Sequence, residues 1–202
     1  MTPEILTALV LFAFASSITP GPNNIMLLAS GANFGLRRTV PHMMGISMGH
    51  ALMVSVVGLG LLGLFIALPW LRSALMAGSA LYLLWLAWKI ATAAPPDRAE
   101  ATGRPLTFVQ AAAFQWVNPK AWYMAIYAQT NFGPEGDSPW PGAIAVALVF
   151  AAVNLPSVTA WAWGGTQIRR FLAAPGRLRA FNVTMALLLV ASLWPMLTSL
   201  GG

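Results

Sequence analysis

The chain has no cysteine, and only 8 % of its 202 residues are charged. Without cysteine there are no disulfides, no thiol nucleophile and no thiolate metal site, and the redox compartment stays open. So little charge excludes an ordinary water-facing surface, which carries about 25 % charged residues. Acids are scarcest, five in all, and there are two histidines, His42 and His50. No His-Glu-x-x-His run or Gly-x-Ser-x-Gly run is present, so the common protease and hydrolase signatures are missing. What the chain does have is apolar bulk: 58 % hydrophobic residues, with nine Trp and ten Met. Lipid is therefore the expected solvent, and Trp gathers at membrane interfaces.

A membrane helix needs about 20 mainly apolar residues. Six segments qualify, near 5–34, 41–68, 73–93, 106–130, 141–168 and 178–200. The N-terminal Met1-Thr2-Pro3-Glu4 lacks the basic region of a cleavable signal, so the first segment reads as a retained span. A polar linker at 94–105 and a turn-rich loop at 133–139 separate the others. The predicted fold is an all-α polytopic membrane protein in a single domain, 1–202. Its six helices form two inverted three-helix repeats, about 1–94 and about 105–202, because an odd number of spans per half reverses the second.

Basic residues fix the expected orientation. Six spans put Arg37, Arg38, Lys89, Arg98, Arg104, Arg169, Arg170, Arg177 and Arg179 on one side and only Arg72 on the other. Cytoplasmic loops carry the excess of Lys and Arg, so both termini are expected outside. The same distribution accounts for the +6 net charge without a nucleic-acid partner.

Each half opens on a broken helix. The first span contains Thr19-Pro20-Gly21-Pro22-Asn23-Asn24, and the fourth contains Asn118-Pro119-Lys120. Matched interruptions in two halves point to a transporter binding site. Proline removes a backbone donor, and unpaired backbone groups are tolerated only where protein or water supplies partners. Asn23 or Asn24, and Asn118, are the expected N-caps of the restarted helices, with Pro119 at the first helical position. Helix N-termini carry partial positive charge, and Lys120 adds a full one. Such a site suits a carboxylate. Carbonyls at the preceding helix ends, about 17–19 and 115–117, suit an ammonium. A site with both poles suits an α-amino acid.

The candidate binding residues are Pro20, Gly21, Pro22, Asn23, Asn24, Asn118, Pro119, Lys120 and Asn154. Asn154 lies in a third polar interruption, Val153-Asn154-Leu155-Pro156-Ser157; it faces the cavity or serves the carbonyls that Pro156 frees. Asn182 is a weaker candidate. Gly45 and Gly49 have the spacing of close helix packing. No acid lies within a span, so Lys120 and His50 are the proton-coupling candidates, with a snorkelling lysine and a packed histidine as the plainer readings.

Several stretches resemble the lysine-exporter (LysE/RhtB) family of amino-acid efflux permeases. They are Thr19-Pro20-Gly21-Pro22-Asn23-Asn24, the 30–38 and 41–49 segments, the third span around Gly78-Ser79-Ala80-Leu81-Tyr82, and Asn118-Pro119-Lys120. The Pro-Gly-Pro-Asn-Asn spelling and Asn154-Leu155-Pro156-Ser157 look most like the branch that exports cysteine and O-acetylserine. The resemblance implies a bacterial inner-membrane exporter driven by the proton gradient. Two departures stand out. Some relatives carry an aspartate where Asn154 stands, and the last span lacks a glycine expected shortly after Asn182.

The functional expectation is secondary active export of a small neutral amino acid or derivative. The alternative is export of basic amino acids or cations, disfavoured because no buried acid would receive a second positive charge. An intramembrane enzyme is the third reading. No catalytic residue, metal or cofactor is expected. The partners are the amino acid and the bilayer, with a homodimer left open.

Overall fold

In the computed structural model, residues 1–61, 67–93, 104–133 and 140–193 are described, and among them the only regular structure is helical. The helices are α1 (Pro3–Ile18), α2 (Pro22–Phe34), α3 (Leu36–Val56), α4 (Pro69–Ala91), α5 (Phe108–Gln115), α6 (Pro119–Phe132), α7 (Trp140–Ile168) and α8 (Pro175–Ala191). A π-helical turn, Val57–Leu61, extends α3. The 94–103 part of the linker, the 134–139 loop and the end of the sixth predicted span beyond 193 lie outside the described residues.

Proline marks where helices begin. Pro3, Pro22, Pro69, Pro119 and Pro175 each open a helix, where a missing N–H costs nothing and φ is already helical. Helix α5 starts instead with a capping box, in which the Thr107 hydroxyl accepts from the Gln110 N–H and the Gln110 side chain accepts from the Thr107 N–H. Two predicted boundaries shift. Helix α3 begins at Leu36, so Pro41 lies inside it rather than before it. Only the Arg37 carbonyl, near the polar end, loses its donor there. The expected third break is absent, since α7 runs unbroken through Pro156. Ser157 donates to the Val153 carbonyl at 2.8 Å and Ser47 to the Ala151 carbonyl at 3.3 Å, on either side of the carbonyl that Pro156 leaves.

Helix α7 is the spine, packing against α1, α2 and α3. Small residues set the closest approaches. Gly31 of α2 lies against the Ala162 carbonyl, and Gly165 of α7 against the Leu28 carbonyl. Gly45 and Gly49 of α3 lie against Phe108 and Ala112 of α5, the packing role their spacing suggested. Helix α3 packs on α5 and on α7, α7 packs on α1, and α4 packs on α8. One apolar cluster, with Met43, Ile46, Phe114 and Leu189, fills one end of the bundle. A second, with Leu9, Met53, Ala125 and Phe150, fills the other. The helix breaks lie between them.

The outer faces are apolar as well. Leu81 and Val109 are each 71 % exposed, and Leu148 and Leu187 are 65 % and 64 % exposed. Leu36–Leu61, Ser73–Ala91 and Trp140–Ile168 are long and apolar enough to cross a membrane, and α1 and α2 together pass the same test as a pair bent by 56°, a broken span or a re-entrant loop. This is a multi-pass helical membrane protein. Basic residues gather at one end, where Arg38 lies 5.5 Å from the Phe34 ring, Arg169 approaches Gly35, and the Asn182 amide reaches the Ala93 carbonyl.

Candidate functional site

The first break, residues 19–21, separates α1 from α2. The carbonyls at the end of α1 have no helical partner, yet every one from Ser17 to Pro20 is satisfied. Asn24 Nδ2 donates to the Ser17 and Thr19 carbonyls, both at 2.8 Å. Trp161 Nε1 donates to the Ile18 carbonyl at 2.9 Å. Lys120 Nζ, from the other half of the chain, donates to the Thr19 carbonyl at 2.7 Å, the Thr19 hydroxyl at 2.9 Å and the Pro20 carbonyl at 3.3 Å. Of the carbonyls expected to be free for a ligand's ammonium, Ser17 and Ile18 are held by Asn24 and Trp161, and Thr19 is held by Asn24 and by an ammonium belonging to the protein.

Helix α2 restarts at Pro22 with Gly21 as its N-cap, and no side chain caps it. This corrects the expectation for Asn23 and Asn24. Proline takes the first helical position, so both asparagines fall within the first turn, past the cap position, and Asn24 reaches back to α1 instead. Gly21 leaves room for the Lys120 side chain, which a Cβ there would meet at 2.8 Å.

The second break, residues 116–118, separates α5 from α6. It closes mostly on itself. The N–H groups of Trp116, Val117 and Asn118 bond to the carbonyls of Ala113, Phe114 and Gln115, and Trp122 Nε1 donates to the Trp116 carbonyl at 2.9 Å. Asn118 caps α6 as expected, accepting from the Lys120 N–H at 3.1 Å, with Pro119 at the first helical position.

The two breaks meet. Asn23 Nδ2 donates to Gln115 Oε1 at 2.9 Å, and Gln115 Nε2 donates back to Asn23 Oδ1 at 3.2 Å. Between them lies a narrow cavity of about 20 Å³, room for about one water molecule. Of the predicted residues, Gly21, Asn23, Asn24, Asn118, Lys120, Asn154 and His50 line it. Pro20, Pro22 and Pro119 do not; they shape the turns and helix starts. Asn154 Nδ2 donates to the Ser17 hydroxyl at 3.1 Å, while Asn154 Oδ1 has no protein partner. His50 Nε2 lies 3.4 Å from the Ala121 carbonyl, and Nδ1 has no protein partner. Lys120 sits at the open edge, since Thr19 and Pro20 are exposed whereas Ser17 and Asn24 are buried. Asn182 lies away from this cavity, fully buried and paired with Asn33 at 2.8 and 3.1 Å.

The side-chain roles of Gln115 and Trp161 were not anticipated. Gln115 is 0 % exposed in an apolar segment, and a lone buried amide that needs a partner was the available signal.

Apolar outer faces surround two broken helices that meet at a polar cavity, and the family match makes the chain a translocator rather than an enzyme. The chain belongs to the LysE type translocator family, whose profile matches residues 14–192. It is similar to the cysteine/O-acetylserine efflux proteins of Escherichia coli strain K12 and Shigella sonnei strain Ss046. Each is 30 % identical over 190 residues, covering 94 % of this chain and 96 % of the relative. That of Escherichia coli O139:H28 is 29 % identical over the same length. No solved structure matches.

Proposed function

We propose that this chain exports a small neutral amino acid, or an O-acylated derivative of one, from the cytoplasm across the bacterial inner membrane. Six spans in two inverted repeats, with both termini outside, form the carrier. The pairing of α3 with α5 and of α7 with α1 supports the repeat, and the basic end is the cytoplasmic one. The observation that carries the reading is the Lys120 ammonium on the Thr19 and Pro20 carbonyls. It occupies the place where a substrate ammonium would sit. The substrate's ammonium displaces it, and Lys120 turns to the substrate carboxylate beside the uncapped α2 N-terminus. One cation replaces another, so no carbonyl is left bare in either state.

Pro20, Gly21, Pro22, Asn23, Asn24, Asn118, Pro119, Lys120 and Asn154 build this site. Lys120 and His50 carry the coupled proton, driving export with the proton gradient. No Asp or Glu lines the cavity among the described residues, which weighs against basic amino acids and divalent cations.

Everted vesicles containing the protein test this. O-acetylserine and cysteine should accumulate under an imposed proton gradient, and a protonophore should abolish the accumulation. Gradient-driven accumulation of lysine with none of O-acetylserine would refute the substrate class. Accumulation indifferent to the protonophore would refute the coupling.

A further inference from the structure

A second, larger cavity opens at the basic end of the bundle. It holds about 260 Å³, just below the roughly 300 Å³ at which drug-sized sites begin, and so suits a solute of amino-acid size. Helices α2, α3 and α4 wall it, together with residues 104–106. Lys89 and Arg104 stand at its exposed rim. The Lys89 ammonium also lies 4.7 Å from the Trp85 ring. Deeper in, the Ser30 hydroxyl pairs with Thr39 and the Asn33 amide with Ala29 and Asn182, so both are already engaged. His42 lines the cavity too, at 2 % exposure, and neither of its ring nitrogens has a protein partner. A buried imidazole with both nitrogens unpartnered is costly unless something else bonds to it. No Asp or Glu lines the cavity among the described residues. None of this serves the site between the breaks, which shares no lining residue with it.

We infer that this cavity is a second binding site, for the carboxylate of a small solute, on the side from which export starts. Resting on the proposed direction of export, it is where the outgoing solute is first held. Lys89 and Arg104 attract the carboxylate, and His42 hydrogen-bonds the solute inside. The ends of α2 and α4 also line it, at Phe34, Thr92 and Ala93, but the charged groups around it are the two rim cations. It therefore accepts a carboxylate whether or not the solute also carries a positive charge.

N-acetyl-L-serine separates the two sites, because it keeps the carboxylate and lacks the ammonium. Its equilibrium binding to the purified full-length protein in lipid nanodiscs is the measurement. Saturable binding to the wild type is expected, and Lys120→Met should leave it unchanged. Lys89→Gln with Arg104→Gln, two exposed positions that spare the core, should weaken it at least about tenfold, since each cation removed is a charge-assisted bond of about that scale. His42→Gln should also weaken it, and its thermal midpoint reports whether the fold is kept. Absence of saturable binding to the wild type overturns the proposal, as does binding that depends on Lys120 and ignores the rim pair. Competition by inorganic phosphate at lower concentration than acetate also overturns it, since the site would then be a phosphate site. Export of O-acetylserine is measured separately in vesicles, so loss of N-acetyl-L-serine binding alone leaves the proposed transport intact, and loss of export alone leaves this cavity's assignment intact.

Discussion

The two helix breaks share a chemistry in sequence and differ in how they are closed. The second is a tight turn whose carbonyls accept from its own N–H groups and from Trp122, six residues from Trp116. The first cannot close itself, because Pro20 and Pro22 remove two of the donors it would use. Its carbonyls are capped by groups brought from elsewhere: Asn24, Trp161 of α7 and Lys120 of α6. A break closed by its own backbone is a fixed hinge. A break closed by a borrowed ammonium can be opened by another ammonium. In the proposed function, the first break takes the ligand's positive end and the second delivers Lys120.

Removing the borrowed cation should have the largest effect. Lys120→Met is expected to lower export by about 100-fold, since more than one charge-assisted bond is lost. Lys120→Arg should still bind substrate but fail to accumulate it, because guanidinium stays charged. Both are read as binding and gradient-driven export per unit of membrane protein. Wild-type export by Lys120→Met would reduce the lysine to a snorkelling side chain.

The capping asparagines should separate next. Asn24→Ala strands the buried Ser17 carbonyl, a cost of about 1–3 kcal/mol. Asn118→Ala removes an ordinary N-cap, worth about 1 kcal/mol. Thermal midpoints in detergent rank the two, and a larger loss at Asn118 would contradict the unequal closure of the breaks. The link between the breaks is a smaller quantity. A double-mutant cycle of Asn23→Ala and Gln115→Ala should give a coupling of about 1 kcal/mol, and strict additivity would mean the amide pair does not hold the breaks together. The smallest expected effect is at Gly21. Gly21→Ala pushes on the flexible Lys120 side chain, which can give way, and export should fall only about threefold with the fold intact. A complete loss of export would show that this glycine does more than leave space.

Much of this was legible in the chain. Asn118 and Pro119 announced the second helix restart, because a fixed φ and a missing N–H suit only the first turn, whereas Pro22, expected to precede the cap, opens α2. Gly45 and Gly49 announced a close helix contact. The partners across the bundle were not legible. Whether Asn23 meets Gln115, 92 residues on, depends on helix rotation, which no local pattern records. Asn24 was misread as a cap because capping propensity is local, whereas the bare α1 carbonyls lie just as near. Asn154 was misread as a break because Pro156 removes one donor only, and Ser157 and Ser47 support the carbonyls around it.

The central claim is that Lys120 holds the ammonium place of the empty carrier and leaves it when substrate arrives. A structure of the protein with O-acetylserine bound tests this most directly. The account predicts the substrate ammonium on the Thr19 and Pro20 carbonyls, with Lys120 Nζ moved from its 2.7 Å contact with the Thr19 carbonyl to the substrate carboxylate. Substrate bound elsewhere, with Lys120 still seated on Thr19, would contradict it.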